Sequence, residues 1–357
     1  MNPYNFVRID WDAGVPRRAS RPHNQFTGWC GRLEGTINTL TPFFIPDRTG
    51  RLPKNHLMNK QKQAVIPGSS LKGLVRSLVE TIGPGCWLLY GSGYGTRDQV
   101  NYLRMLPETF EPCPDRDGNL CPACRMFGLI RYKKNQPGTV LRGHVGFDDA
   151  VCDAPTACDP LYTIILGGPK PRHKAFYLDE KGRRLAGRKF FYHHSKPPAD
   201  VGSWKPKEAI PEKRQNEYIK PIGKDSVFTF SCDFESLDDD ELRLLLYALV
   251  LEPGVRHKLG YAKPAGLGSV EINLTRVDIT NNPASRYRSG SQGSKVYQGT
   301  ELRDFLDNQT AQYAQDNNSI TLQDLRHIWA WPGRDDLLYP PRYWFKEHGD
   351  ARLGETP

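Results

Sequence analysis

Residues 65–83 read VIPGSSLKGLVRSLVETIG, and within them Leu71, Leu74, Val75, Leu78, Val79 and Ile82 recur at the spacing of one helix face. An apolar stripe of that width predicts an amphipathic helix facing a core. Ser69 or Ser70 is expected to supply the N-cap, worth roughly 1 kcal/mol, with Gly83 ending the helix. The sequence on either side decides what this helix packs against.

Upstream, Leu33, Gly35, Ile37 and Thr39 alternate with Glu34, Thr36 and Asn38, which predicts a strand over Arg32–Phe44 that stops at Pro46. Residues 1–30, with little periodicity, are expected to form a mostly extended arm. Downstream, strands are expected near Leu141–Val151, Tyr162–Leu166 and Val227–Phe234. Ser236 is the expected N-cap of a second helix running to about Leu251, with Asp238, Asp239, Asp240 and Glu241 suiting the positive end of its dipole. HKLGYAKPAGLGSVEINLTRVDI, residues 257–279, is a glycine-punctuated loop leading into a closing strand. The order strand, helix, strands, helix, strand predicts an α+β fold with a ferredoxin-like βαββαβ core and large insertions. A linker over Ser285–Gly299 and helices near Glu301–Gln315 and Thr321–Trp331 make a C-terminal helical appendage. The expected organisation is therefore one domain over 1–284 and the linker and appendage over 285–357. The domain would carry a cysteine-bearing region at about 84–140 and an insertion at about 169–224.

The chain has 357 residues, enough to bury a real core, yet only 38% are apolar, with 33 glycines and 29 prolines, so long loops are expected. The formal net charge of +9 suggests a polyanionic partner, nucleic acid by default. Between Pro169 and Lys224 there are 15 Lys/Arg against 6 Asp/Glu, interleaved with Phe176, Tyr177, Phe190, Phe191, Tyr192, Trp204 and Tyr218. Cations for phosphates and rings for bases make a single-strand binding composition, with Arg188, Lys189, Phe191 and His193 as candidates; the alternative is a solvated loop whose rings pack inward. No apolar run suits a transmembrane helix and no export-signal pattern opens the chain, so a cytoplasmic location is expected.

Four further segments carry chemistry. In PGSSLKG, residues 67–73, two hydroxyls and free helix amides beside Lys72 suit a phosphate, although an ordinary capped helix reads the same way. Gly260, Gly266 and Gly268 would let a polyanion approach backbone amides, with charge from Lys258 and Lys263 and a stacking face on Tyr261; a plain glycine turn is the alternative. Cys121-x2-Cys124 offers two thiolates to one zinc ion, with Cys113 as third ligand and Cys86 or His144 as fourth. In the loop Pro46–Gln63, Asp47 lies among Arg48, Arg51, His56 and Lys60. An acid there can assist attack by an RNA 2′-hydroxyl on its phosphate as a base or by holding a metal ion, or can simply cap a turn. The adjacent His193 and His194 are another acid/base candidate.

Seven pieces then occur in a telling order: PYNFVRI (3–9), TPFFIPD (41–47), IPGSSLKGLVRSLVE (66–80), CPACRMFG (121–128), GHVGFDDA (143–150), GRKFFYHH (187–194) and LGYAKPAGLGSVEI (259–272). Together they resemble the RAMP superfamily of CRISPR-associated proteins, most of all its type III-D group. The resemblance implies an RRM-like core, a structural zinc ion, and a backbone-type subunit that binds CRISPR guide RNA and meets complementary target RNA. Its protein partners would be other effector subunits of the same superfamily and a large signature subunit. Ser69, Ser70, Lys72 and Arg76 would contact guide phosphates, and the Gly260–Gly268 loop would hold the same strand. In target-cleaving members an aspartate after the first strand supports cleavage with Mg²⁺ or another divalent ion, and it maps onto Asp47. Asp47 sits in PFFIPDRTG, where the family loop is richer in glycine, so an inactive structural or capping subunit is a second reading. A guide-processing endoribonuclease using His193 or His194 is a third.

Overall fold

The computed structural model describes residues 1–47, 49–50, 52–87, 105–113, 118–133, 136–164, 166, 173–195, 217–281, 293–340 and 344–356. Its main elements in chain order are β1 (Tyr4–Val7), β2 (Trp29–Thr39), β3 (Ala64–Ile66), α1 (Gly68–Ile82), α2 (Pro122–Phe127), β4 (Val145–Phe147) and β5 (Ala150–Cys152). They continue with β6 (Arg188–Phe191), β7 (Val227–Leu237), α3 (Asp239–Val250), β8 (His257–Lys258), β9 (Ser269–Thr280), α4 (Gly299–Asp316) and α5 (Ile320–Ile328).

The fold is a mixed α+β architecture around an antiparallel sheet. β2 is central, pairing with β7 on one side (Leu33 opposite Cys232, Ile37 opposite Phe228) and with β9 on the other (Ile37 opposite Ile272). β4 and β5 follow beyond β7, and β3 pairs with β5. The alternation read from the sequence holds: Leu33, Gly35, Ile37 and Thr39 are buried while their neighbours are not. Gly35 is required by crowding, since a Cβ there would lie 2.5 Å from the Asn273 carbonyl oxygen. The strand stops at Thr39 rather than Phe44, and Phe43 instead bridges to Ile222.

α1 takes its expected face, but neither helix takes its expected cap. α1 buries Leu71, Leu74, Val75, Leu78, Val79 and Ile82, in the same core as Leu33, Ile37 and Phe228. No serine caps it: the Gly68 amide donates to Asp149 Oδ1 at 2.7 Å, a carboxylate brought in from the loop before β5. Ser69 and Ser70 are thereby left within the first turn. On α3 the cap is Asp238, closing a reciprocal box with Glu241, because Ser236 still belongs to β7.

The arm and the C-terminal segment are both built into the body. β1 pairs with β6, Tyr4 opposite Phe191 and Val7 opposite Arg188, so the opening motif and the GRKFF motif form one ribbon. α5 rests against β1, with Arg8 forming a two-pronged ion pair to Asp324 at 2.7 Å on each prong. Leu302, Leu306, Tyr313, Leu322, Leu325, Ile328 and Trp329 join the main core, and the Tyr313 hydroxyl donates to the Ile82 carbonyl at 3.0 Å. No helix among the described residues is long and apolar enough to cross a membrane.

Candidate nucleic-acid interface and metal centre

Four distant segments meet around one cleft of about 490 Å³. The α1 face presents Ser70, Gly73 and Ser77; Ile45 and Pro46 follow the central strand; Lys189 and Phe191 come from β6; Lys258, Gly260, Tyr261 and Lys263 come from the glycine loop. Among the described residues three lysines line it and no carboxylate does. Trp329, from the end of α5, also reaches it, a contribution that no local pattern signals because it depends on docking the C-terminal segment.

The lysines differ in setting. Lys258 is only 3% exposed, and its ammonium donates to one neutral partner, Ser269 Oγ, at 3.0 Å. Burial holds its pKa well below that of a free lysine, and nearby Lys263 adds to the effect. Lys263 donates to the Gly260 carbonyl at 2.8 Å and is likewise lowered by burial. The Lys189 ammonium stands 3.7 Å from the centroid of the Tyr4 ring. Cations lining a cleft with no carboxylate partner among the described residues favour an anionic ligand. Gly73 points the same way: a Cβ there would meet nothing within 4 Å, so internal packing does not explain a mid-helix glycine that costs about 1 kcal/mol relative to alanine.

Other expected contacts have internal employment. Gly260, Gly266 and Gly268 all have positive φ, and a Cβ on Gly268 would lie 1.8 Å from the Leu259 carbonyl oxygen. The Gly268 amide donates to Pro42 O and the Gly266 amide to Lys263 O, so neither is offered to a polyanion. Tyr261 remains on the cleft wall, its hydroxyl pushed up to about 12 by burial and by Glu217. Arg76 does not face a phosphate, because its guanidinium donates to Glu80, to the Gly128 carbonyl and to Cys124 Sγ. Arg188 donates to Glu80 and to the Gly85 and Cys86 carbonyls while covering the Trp87 ring at 4.0 Å. Both arginines thus brace the cysteine region. Lys72 lies off the cleft lining, half-buried near Arg76 and Arg142, and burial and Arg76 lower its pKa. Ser69 is exposed on the first turn.

The histidine pair is structural. His193 is 1% exposed, with Nδ1 on Ser269 Oγ at 2.8 Å and Nε2 on the Arg256 carbonyl at 2.8 Å. His194 is equally buried, and burial pushes its pKa down to about 2. Neither can exchange protons with a bound RNA, which removes the basis for a histidine-dependent processing site. Phe176, Phe190 and Tyr192 are buried as well, so much of the basic segment's aromatic content is core. Trp204 lies outside the described residues.

In the loop after the central strand, Asp47 Oδ2 accepts from Thr49 Oγ1 at 3.0 Å and Oδ1 from the Thr49 amide at 3.4 Å. This is a turn-capping arrangement, one residue from Pro46 on the cleft wall. Arg48 and Arg51 lie outside the described residues. Lys60 is exposed, whereas His56 is buried, accepts from the Ile45 amide at 3.2 Å and is held neutral by burial with its pKa near 4.

The cysteines converge as expected and tertiary structure selects the fourth. Cys86, Cys113, Cys121 and Cys124 are all fully buried with their sulfurs within 4.8 Å of one another. Cys86 Sγ and Cys124 Sγ are 3.6 Å apart, too far for a disulfide and close to the roughly 3.8 Å edge of a tetrahedron with 2.3 Å zinc–sulfur bonds. The Cys121 amide points at Cys113 Sγ at 3.1 Å and the Cys124 amide at Cys121 Sγ at 3.4 Å. Hydrogen bonding from Cys113 and the other two cysteines pulls the Cys121 thiol well down. The donor set therefore fits a tetrahedral thiophilic metal ion. His144 does not join it and lies instead beside His23 and Glu235.

No curated protein matches the chain. Among solved structures, a chain from a cryo-EM structure of the type III-B Cmr-β complex bound to cognate target RNA aligns with a TM-score of 0.33 and 14% identity. The alignment covers 71% of this chain and 61% of that one. Residues 36–271, from the central strand through the glycine loop into the closing strand, match the sequence model of the RAMP superfamily. By that match the chain belongs to the RAMP superfamily.

Proposed function

We propose that this protein binds CRISPR guide RNA as a backbone-type subunit of a type III effector ribonucleoprotein that recognises complementary target RNA. The observation that carries the reading is the cleft: among its described residues three lysines, no carboxylate, an unpacked helix glycine, and the Tyr261 and Phe191 rings, in a member of the RAMP superfamily. Lysines track phosphates and rings accept bases, the usual division of labour on single strands. The strand order β9-β2-β7-β5 with α1 and α3 as crossovers supports a ferredoxin-like, RRM-like core within 1–284, with α4 and α5 packed onto it. Zn²⁺ is the ion we assign to Cys86, Cys113, Cys121 and Cys124. Bound there it would supply folding energy, while Arg76 and Arg188 join the knuckle to α1 and to β6 on the cleft. An RNA partner of this kind places the protein in the cytoplasm, among other subunits of its superfamily and a large signature subunit.

The test is binding of single-stranded guide RNA by wild type, Lys263→Ala and Lys189→Ala across a salt series. Each variant is expected to weaken binding and to shallow the salt slope by about 0.7 per lost phosphate contact. Unchanged slopes in both would reject the cleft as the RNA path.

A second reading adds target cleavage with Mg²⁺ at Asp47, motivated by its place one residue beyond the cleft wall. Asp47 would hold the divalent ion, with Lys60 as the exposed helper. In the assembled complex with complementary RNA and Mg²⁺, Asp47→Ala is expected to abolish cleavage without weakening guide binding. Cleavage products identical to wild type would leave the purely structural subunit as the answer.

A further inference from the structure

We propose a second metal site, of the zinc class, formed by His23, His144 and Glu235 where the N-terminal arm crosses the end of β7. His144 Nε2 lies 3.3 Å from the Arg21 carbonyl oxygen and His23 Nε2 lies 3.0 Å from that of Arg142. Carbonyl oxygens only accept, so both Nε2 atoms are the donors, and in the neutral rings both Nδ1 atoms carry lone pairs. Both Nδ1 atoms nevertheless face the same carboxylate oxygen, Glu235 Oε1, at 2.7 Å from His23 and 3.8 Å from His144.

Three lone pairs converging on one point repel unless a positive species sits among them. A proton on His23 would satisfy its contact to Glu235 and leave His144 Nδ1, in a residue 7% exposed, without a hydrogen bond. A divalent cation satisfies all three ligands at once. The two backbone carbonyls then act as outer partners that fix the tautomer of each ligating ring, as is usual around metal-bound histidines. Two imidazoles and a carboxylate suit zinc, and His23 and Glu235, about a quarter exposed, leave a side open to solvent. The rings now lie stacked at 4.2 Å between centroids, so binding would splay them about their side-chain torsions. The backbone is already set, because the Glu235 amide donates to the His144 carbonyl at 3.0 Å. The site would staple the arm to the sheet beside the Arg21 ion pairs with Asp238 and Glu241.

The test counts zinc in the intact protein after equilibration with buffered micromolar zinc, without RNA, so that its result is independent of the RNA-binding reading. Wild type is expected to hold two equivalents. His144→Phe, which keeps a flat ring on His23, and Glu235→Gln are each expected to hold one, as is Cys121→Ser, and the His144→Phe/Cys121→Ser double variant none. Replacement by cobalt separates the sites, because only the cysteine site gives thiolate charge-transfer absorption. That absorption should persist in His144→Phe, which also shows that the variant is folded. One equivalent in wild type at saturation, or two retained in both His144→Phe and Glu235→Gln, would overturn the proposal, with a protonated His23 paired to Glu235 as the remaining explanation.

Discussion

Replacing Lys258 with methionine should move stability and RNA binding in opposite directions. The side chain is 3% exposed, its ammonium has the Ser269 hydroxyl as its partner, and its pKa is held well below 10.5 by burial. Methionine fills nearly the same volume without the charge, and Ser269 Oγ keeps its contact with His193 Nδ1 at 2.8 Å, so no polar group is orphaned. Relief of an under-compensated buried ammonium is worth on the order of 1–3 kcal/mol, which should raise the melting temperature by a few degrees. In the RNA complex the same ammonium would meet a phosphate, a charge-assisted hydrogen bond worth roughly 1.5–3 kcal/mol. Lys258→Met should therefore weaken single-stranded RNA binding about 10- to 100-fold and shallow the salt slope by about 0.7. Calorimetric melting and a salt-dependent binding titration read the two effects separately. A variant that is less stable yet binds RNA normally would make Lys258 a structural prop and rule out its contact with phosphate.

Two further outcomes follow from buried groups outside the cleft. Chelation, or Cys121→Ser, should cost several kcal/mol of stability and loosen the β1–β6 ribbon, because Arg188 is anchored on the Cys86 carbonyl; hydrogen exchange at residues 4–7 and 188–191 would report it, and unchanged protection would contradict that coupling. His56, with its pKa lowered from 6.5 to about 4, stays neutral in the fold while the unfolded chain takes up a proton. Its contribution is thus fully present above pH 6.5, is lost as the pH falls toward 4, and amounts to about 3 kcal/mol. His56→Gln, which can still accept from the Ile45 amide, should flatten that part of an acid-unfolding curve; an unaltered curve would count against the assignment.

Local order was legible wherever it depends on backbone period. The α1 stripe, the β2 alternation and the first-turn acids of α3 all appear where spacing predicts them, because each is set by repeat geometry within one segment. The CPAC pair was readable for the same reason, its two thiols being held within one turn. The choice of Cys86 over His144 was not, since it depends on where the chain after α1 runs. Capping followed the same division: no serine caps α1, and its first amide, that of Gly68, donates instead to Asp149, from 81 residues away. Composition placed positive charge and rings at 169–224 but could not say that Arg188 braces the cysteines while the adjacent Lys189 faces the cleft. Adjacent side chains on a strand point to opposite faces, and what lies on each face is settled by packing. The helix, the central strand and the cysteine pair follow from the sequence alone, as does a net charge that suits a polyanion. Which lysines share one cleft was set by the packing of the chain, because that cleft is lined by residues 45–46, 70–77, 189–191, 258–263 and Trp329, which no local pattern links.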